Sequence, residues 1–111
     1  MAIQKWSDSI TVVDLIDDPQ FTDELSALAE SVQAKPTDVV LNFSAVGFIN
    51  SSNLSRLLRL RKHLSAHERR MVLCGVNAHV GGVFQVTGLD KIFQFTQDMA
   101  TALAGLQLAQ K

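Results

Sequence analysis

The chain has 111 residues, of which 47% are hydrophobic, and a formal net charge of −1 at pH 7. This length fits one domain, residues 1–111, built on a single core, and the near-neutral charge argues against nucleic-acid binding through the whole surface. The lone Cys74 excludes an internal disulfide, and no apolar run approaches the ~20 residues needed to span a bilayer. The sequence therefore predicts a cytoplasmic protein with no membrane insertion.

The first part of the chain predicts a hairpin followed by a helix. Ala2–Ser7 and Ser9–Ile16 are predicted strands, the second of them rich in β-branched side chains. Asp18 is predicted to be the N-cap of a helix whose first residue is Pro19. This helix extends to about Ala34, because apolar residues recur along it at helical spacing. They are Phe21, Leu25, Leu28 and Val32.

The stretch after Thr37 predicts a buried strand that leads into a second helix. Val39–Phe43 is short and rich in β-branched and aromatic residues, which suits a central strand covered on both faces. The helix is predicted over Ser51–Ser65, so two hydroxyls, on Ser51 and Ser52, lie at its start. A helix start carries unpaired backbone N–H groups and favours negative charge. A serine there can act as a cap or as a phosphate site.

The remaining chain completes an alternation of strands and helices. Met71–Cys74 is a predicted strand, Asn77 and Gly88 bound a third helix, and Lys91–Phe95 is a last strand. A C-terminal amphipathic helix carries Met99, Leu103 and Leu106. Such alternation implies right-handed parallel crossovers, and the initial hairpin adds an antiparallel edge. The predicted fold is α/β, with a mixed, mostly parallel sheet of four to five strands and about four helices.

The segment Val46–Leu54 reads Val-Gly-Phe-Ile-Asn-Ser-Ser-Asn-Leu. It resembles the signature of the STAS family, the fold of bacterial anti-sigma factor antagonists, in which Asp-Ser-Ser-Gly-Leu or Asp-Ser-Ala-Gly-Leu opens a helix. Further matches follow in order at residues 71–76, 83–89 and 92–103. The resemblance implies a single STAS-like domain with the same α/β architecture.

The resemblance also implies a function, that of a non-enzymatic interaction module. Such a module would bind an anti-sigma factor or a related serine kinase through Ser44–Leu58, and thereby release a sigma factor. Ser51 occupies the place of the phosphoacceptor, and a phosphate there would add ~1.5 to 2 negative charges that repel an acidic partner surface. Asp18 matches an acidic residue of the loop before the first helix in the family. The predicted partner-binding residues are Asp18, Ser44, Asn50, Ser52, Asn53 and Arg56.

The chain departs from the family signature at two places beside Ser51. Asn50 replaces the aspartate and Asn53 replaces the glycine. An amide is neutral and cannot act as a base as a carboxylate does. The usual glycine of the loop before the first helix is also absent, with Leu15 at its place. Asn50 and Asn53 favour the alternative function, a subunit of a transporter complex or a signalling scaffold that binds constitutively without a phospho-switch.

A basic side of the Ser51–Ser65 helix is predicted opposite its leucines. Arg56, Arg59 and His63 fall there at helical spacing, with Lys62 close by. Such a face could meet an acidic partner or nucleic acid, but a solvated face is the simpler interpretation, and no nucleic-acid binding is predicted.

No cofactor, metal or catalytic site is predicted. His63 and His67 stand four residues apart, a spacing that can hold a metal on one helix face. A third ligand would have to come from His79 or Glu68, so solvated histidines are the simpler interpretation. Cys74 lies within an apolar strand and is interpreted as a core residue. No nucleophile–base arrangement is recognisable, which predicts that the protein is not an enzyme.

Overall fold

The computed structural model describes residues 3–109, which form five strands, four α-helices and one short 3-10 helix. No helix in this part of the chain is both long and apolar enough to cross a membrane. The strands and α-helices follow one another as β1 (Ile3–Lys5), β2 (Ile10–Ile16), α1 (Gln20–Ala34), β3 (Asp38–Ala45), α2 (Ser51–Ala66), β4 (Met71–Cys74), α3 (Ala78–Thr87), β5 (Gln94–Thr96) and α4 (Met99–Ala109).

The five strands form one sheet in the order β1-β2-β3-β4-β5. β1 pairs antiparallel with β2, and every other neighbouring pair is parallel. The predicted mixed, mostly parallel α/β fold is therefore confirmed, with five strands and four α-helices. Both faces of β3 are covered, as its apolar sequence predicts.

Helices α1, α2 and α3 pack on one face of the sheet around an aromatic centre. Phe43 of β3 meets Phe21 of α1 with ring centroids 5.9 Å apart, and Phe84 of α3 at 6.3 Å, both edge-on. All three rings are fully buried. Edge-on contacts of this kind add to the stabilisation from buried area, so they fix how these helices sit on the sheet.

Helix α4 packs on the opposite face. Ala102 and Leu106 are buried there against side chains of β2, β3 and β4, among them Cys74. The interpretation of Cys74 as a core residue is confirmed. Burial raises the pKa of its thiol, with smaller contributions from the carboxylates of Asp98 and Asp14. The thiol is thus an inert packing group in the folded protein.

The strand bounds differ from the predicted ones by one or two residues at β1, β2 and β3, and by more at the start of β5. β1 covers only Ile3–Lys5, because the N–H groups of Trp6 and Ser7 both bond to the carbonyl of Ile10 and so belong to the turn. Ala2, the predicted first residue of this strand, lies outside the described residues. The last strand begins at Gln94 and not at Lys91. The N–H groups just before Gln94 bond back to the carbonyls of Gly88 and Leu89 in a 3-10 turn, so they cannot pair with β4.

The predicted start of α1 is one residue too early. Pro19 is the N-cap residue and Gln20 the first helical one, so Asp18 is not the N-cap. The first intrahelical bond runs from the N–H of Asp23 to the carbonyl of Pro19. The Asp18 carboxylate lies before the helix and still accepts from the N–H of Thr22 at 3.0 Å. It also accepts from the Thr22 hydroxyl, and its other contacts are with Asn50 and Asn53 at the start of α2. By contrast, the predicted Asn77 cap and Gly88 stop of α3 are confirmed, with Gly88 left-handed at φ 76°.

Candidate functional site

Helix α2 begins at Ser51, as predicted, but its cap is Asn50. The Asn50 side-chain oxygen accepts from the N–H of Asn53 at 2.8 Å, and the Asn53 side-chain oxygen accepts from the N–H of Asn50 at 3.1 Å. This reciprocal pair is a capping box. The interpretation of Ser51 and Ser52 as caps is wrong, because an asparagine one residue earlier takes that role.

Ser51 is exposed at the first position of α2. Its hydroxyl makes no hydrogen bond with any residue between 3 and 109, and neither does its backbone N–H or that of Ser52. The first N–H groups of a helix point away from its body and carry partial positive charge. An accessible hydroxyl therefore lies beside unpaired donors, an arrangement that can accept a phosphate without disturbing the cap.

Asp18 joins the start of α1 to the start of α2. One of its oxygens accepts from the Thr22 N–H at 3.0 Å and hydroxyl at 2.7 Å. The other accepts from the Asn53 amide at 3.0 Å and, more weakly, from the Asn50 amide at 3.4 Å. The Thr22 hydroxyl, and after it the Asn53 amide, hold the pKa of the Asp18 carboxyl below its ordinary value. The carboxylate is thus the charged centre of a polar cluster formed by Asp18, Thr22, Asn50 and Asn53.

The loop before α2 is held by Asp17, which the sequence did not single out as a site residue. One Asp17 oxygen accepts from the N–H of Gly47 at 2.8 Å and from that of Phe48 at 3.1 Å. Phe48 projects from this loop with 71% of its surface exposed and lies edge-on to His79 at 5.7 Å. This exposed aromatic ring, three residues before Ser51 in the chain, gives the loop before α2 an apolar component. In the sequence, Asp17 and Asp18 are consecutive aspartates before Pro19, and only Asp18 was predicted to be a site residue.

Ser44 is not brought together with Ser51. The side chains of β3 alternate between the two faces of the sheet, and Phe43 points into the core under α1 and α3. Ser44 therefore lies on the face that carries α4. It is exposed, and its N–H donates to the Asn42 side chain at 3.1 Å. Asp18, Asn50, Ser51, Ser52 and Asn53, in contrast, all lie at the start of α2.

The predicted position on a solvated side of α2 is confirmed for Arg59, which is exposed, and is wrong for Arg56 and His63. These residues line a groove between α1 and α2, and Arg56 reaches the hydroxyl of Ser26 on α1 at 3.5 Å. Arg56 and His63 are only partly exposed, while Lys62 is exposed. The periodicity of one helix cannot show that a neighbouring helix packs beside its polar side.

The two histidines near the end of α2 contact one another. The rings of His63 and His67 lie 4.6 Å apart, and His67 Nδ1 is 3.0 Å from the carbonyl oxygen of His63. In the described part of the chain, no three His, Cys, Asp or Glu side chains converge in a way that could hold a metal ion.

Residues 11–102 match the family model of the STAS domain. A Bordetella bronchiseptica protein named as an anti-sigma factor antagonist, BtrV, is 30% identical over 82 residues, which are 74% of this chain and 71% of BtrV. The chain therefore belongs to the STAS domain family and is similar to anti-sigma factor antagonists within it.

Solved structures with the same fold include proteins of that class. One is a STAS domain protein of Planctomyces limnophilus, with a TM-score of 0.81 at 22% identity over 95% of this chain and 97% of that one. Another is the phosphorylated form of the cell fate determinant SpoIIAA of Bacillus, with a TM-score of 0.70 at 20% identity over 92% of this chain and 95% of that one. At these identities the likeness establishes the shared fold.

Proposed function

We propose that this STAS protein is a non-enzymatic interaction module of the anti-sigma factor antagonist type. Its partner is an anti-sigma factor or a related serine kinase, and it docks through the surface around the start of α2. Phosphorylation of Ser51 ends the complex. The observation that carries this proposal is the exposed Ser51 hydroxyl, which no side chain within residues 3–109 engages although it lies at a helix start.

The hydrogen bonds around Ser51 support a switch that acts by charge and not by refolding. The helix is already capped by Asn50 and Asn53, and both are tied to Asp18. A phosphate on Ser51 would displace none of these bonds. It would place ~1.5 to 2 negative charges on the docking surface, where an acidic partner is repelled at a cost of several kcal/mol.

The docking surface combines polar and apolar components. Phe48 supplies an exposed ring, Asn50 and Ser52 supply exposed polar groups, and Asp18 supplies a negative charge. Among the residues predicted to bind a partner, Asn53 is buried and acts by holding this surface in place. Arg56 lies at its margin toward α1, whereas Ser44 lies on the α4 face, away from this surface.

The experiment combines the protein with the kinase encoded nearest to it and ATP, and follows the mass of the protein and the site of modification. We expect one added phosphate at Ser51, none on S51A, and at least about tenfold weaker kinase binding by S51E than by S51A. A78S is the matched control, because it places a serine at the first position of α3, which also has an asparagine cap. Phosphorylation of A78S at residue 78, or of S51A elsewhere, would contradict the assignment of Ser51.

A second function is favoured by the satisfied amides of Asn50 and Asn53. They build a preformed surface that carries no carboxylate at the signature position. Such a surface suits a subunit of a transporter complex or of a signalling scaffold that binds constitutively. Affinity purification separates the two functions: recovery of a small ATP-binding kinase supports the phospho-switch, and recovery of a transporter ATPase or permease, with S51E binding as well as S51A, supports the constitutive subunit.

A further inference from the structure

A groove between α1 and α2 borders the docking surface at Arg56 and has a volume of about 340 Å³. Its walls include Leu25 and Val32 of α1 and Leu60 of α2, all members of the hydrophobic core cluster. This volume falls at the small end of the ~300–1,000 Å³ typical of ligand sites. The groove therefore offers an apolar floor to a small molecule.

The rim of the groove is cationic. Arg56, Arg59 and His63 line it from successive turns of α2, and no Asp or Glu is among the lining residues. No carboxylate within residues 3–109 pairs with any of the three. Arginines left without an acidic neighbour beside an apolar floor are arranged to bind an anion.

Two nitrogen atoms of this rim are buried and lack partners. Arg56 Nε and His63 Nε2 are inaccessible to solvent, and neither has a hydrogen-bond partner in the described part of the chain. Arg56 makes one long contact through another nitrogen, 3.5 Å from the hydroxyl of Ser26. Most buried polar atoms in proteins are hydrogen-bonded, and leaving one unpaired costs free energy. An anion in the groove would supply acceptors to the guanidinium and draw both side chains into a bonded arrangement.

From these observations we propose that the α1–α2 groove is a binding site for a small organic anion, a carboxylate or phosphate monoester with a short apolar arm. The anionic group lies against Arg56 and Arg59, and the apolar arm lies on Leu25, Val32 and Leu60. His63 lines the same side of the groove. The ligand needs both an anionic group and an apolar arm. A bare ion would contact only the cationic rim, and an uncharged hydrocarbon would contact only the apolar floor.

The test is a titration of the isotope-labelled full chain by NMR with four probes: hexanoate, hexyl phosphate, hexanol and inorganic phosphate. We expect hexanoate or hexyl phosphate to shift resonances of Ser26, Leu60 and His63, with at least about tenfold higher affinity than hexanol or inorganic phosphate. Equal binding of hexanol would overturn the anion requirement, and equal binding of inorganic phosphate would overturn the apolar one. No shift of the groove resonances by either amphiphilic probe at millimolar concentration overturns the site.

Two variants locate the site on the protein. The double variant R56Q/R59Q removes the charges and should weaken hexanoate binding at least about tenfold, whereas R61Q, an arginine of the same helix outside the groove, should leave it unchanged. A29F is a second route that leaves both arginines in place, since Ala29 is an exposed lining residue of α1 and a larger side chain there fills the groove. Undiminished binding by a folded R56Q/R59Q or A29F protein would place the probe elsewhere and overturn the proposal.

Discussion

Two neighbouring helices, α2 and α3, both start with an asparagine cap and differ in what that cap contacts. The Asn50 side chain pairs with Asn53 and with the Asp18 carboxylate of another helix start. The Asn77 side chain accepts from the Val80 N–H at 2.8 Å and donates to the Val46 carbonyl at 2.9 Å. The same capping chemistry is thus anchored by a charge in α2 and by a neutral loop carbonyl in α3. The charged residue, Asp18, thus supports the cap of the helix that begins with Ser51.

The largest expected effect comes from N53A. Asn53 is 2% exposed, and its side chain bonds both to the Asn50 N–H and to the Asp18 carboxylate. Its loss should lower the free energy of unfolding by about 3 kcal/mol, because bonds to charged groups and buried polar groups are the costly ones to break. N77A, which removes an exposed cap, should cost about 1 kcal/mol. Urea denaturation measures both, and equal losses would contradict the difference between the two anchors.

G75A tests whether the start of α3 depends instead on backbone geometry. Gly75 has φ 70°, and a Cβ there would lie 3.2 Å from the backbone nitrogen and Cβ of Ser44. Alanine is disfavoured in that conformation, so the substitution should cost about 2 kcal/mol. The matched control is G82A within α3, where an added Cβ meets no atom within 4 Å. Because alanine favours a helix more than glycine does, G82A should raise the free energy of unfolding by up to ~1 kcal/mol. Thermal unfolding separates the two, and a neutral G75A would show that the loop relaxes.

N50D restores the family's aspartate and tests the charged anchor of α2 directly. The new carboxylate would replace an amide that lies 3.4 Å from the Asp18 carboxylate. Two like charges at an exposed site should cost about 1 kcal/mol. The double variant D18N/N50D exchanges the amide and the carboxylate and should recover most of that loss. If the double variant is no more stable than the sum of the single changes predicts, the two side chains are not coupled.

The smallest expected effect is a pH dependence carried by Asp18. Its pKa is below the ordinary 3.8 in the folded protein, because Thr22 and Asn53 bond to the carboxylate. A lowered folded pKa contributes stability above the unfolded value, and that contribution is lost as the pH falls through the folded value. D18N should therefore flatten the decline of stability below about pH 4 relative to the wild type. D98N should flatten the decline as well, because the Thr101 N–H bonds to the Asp98 carboxylate and lowers its pKa. A D18N profile parallel to the wild type would contradict the assignment.

The elements of the fold were predictable from the sequence because their patterns are local. The apolar stripe of α1, the β-branched run of β3, and the Asn77 cap and Gly88 stop of α3 are all set by neighbouring residues. The beginning of β5 was not, since it depends on a 3-10 turn whose bonds compete with those of the sheet.

The candidate site was predictable only in part. The exposed start of α2 followed from the serines, but serine and asparagine are comparable caps, and only the loop geometry selects Asn50. The bonds from Asp18 to Asn50 and Asn53 join residues more than thirty positions apart, so no local pattern contains them. The contact of Arg56 with Ser26 is likewise a consequence of helix packing.

The buried thiol of Cys74 can report on whether α4 stays packed on the sheet. Among the helices within residues 3–109, α4 is the one that packs over this thiol, and it holds the sheet mainly through Ala102, Leu106 and their neighbours. Any event that lifts α4 from the sheet would expose the sulfur and speed its alkylation by iodoacetamide. The rate of that reaction would measure how often this helix detaches, with no label added and no residue replaced.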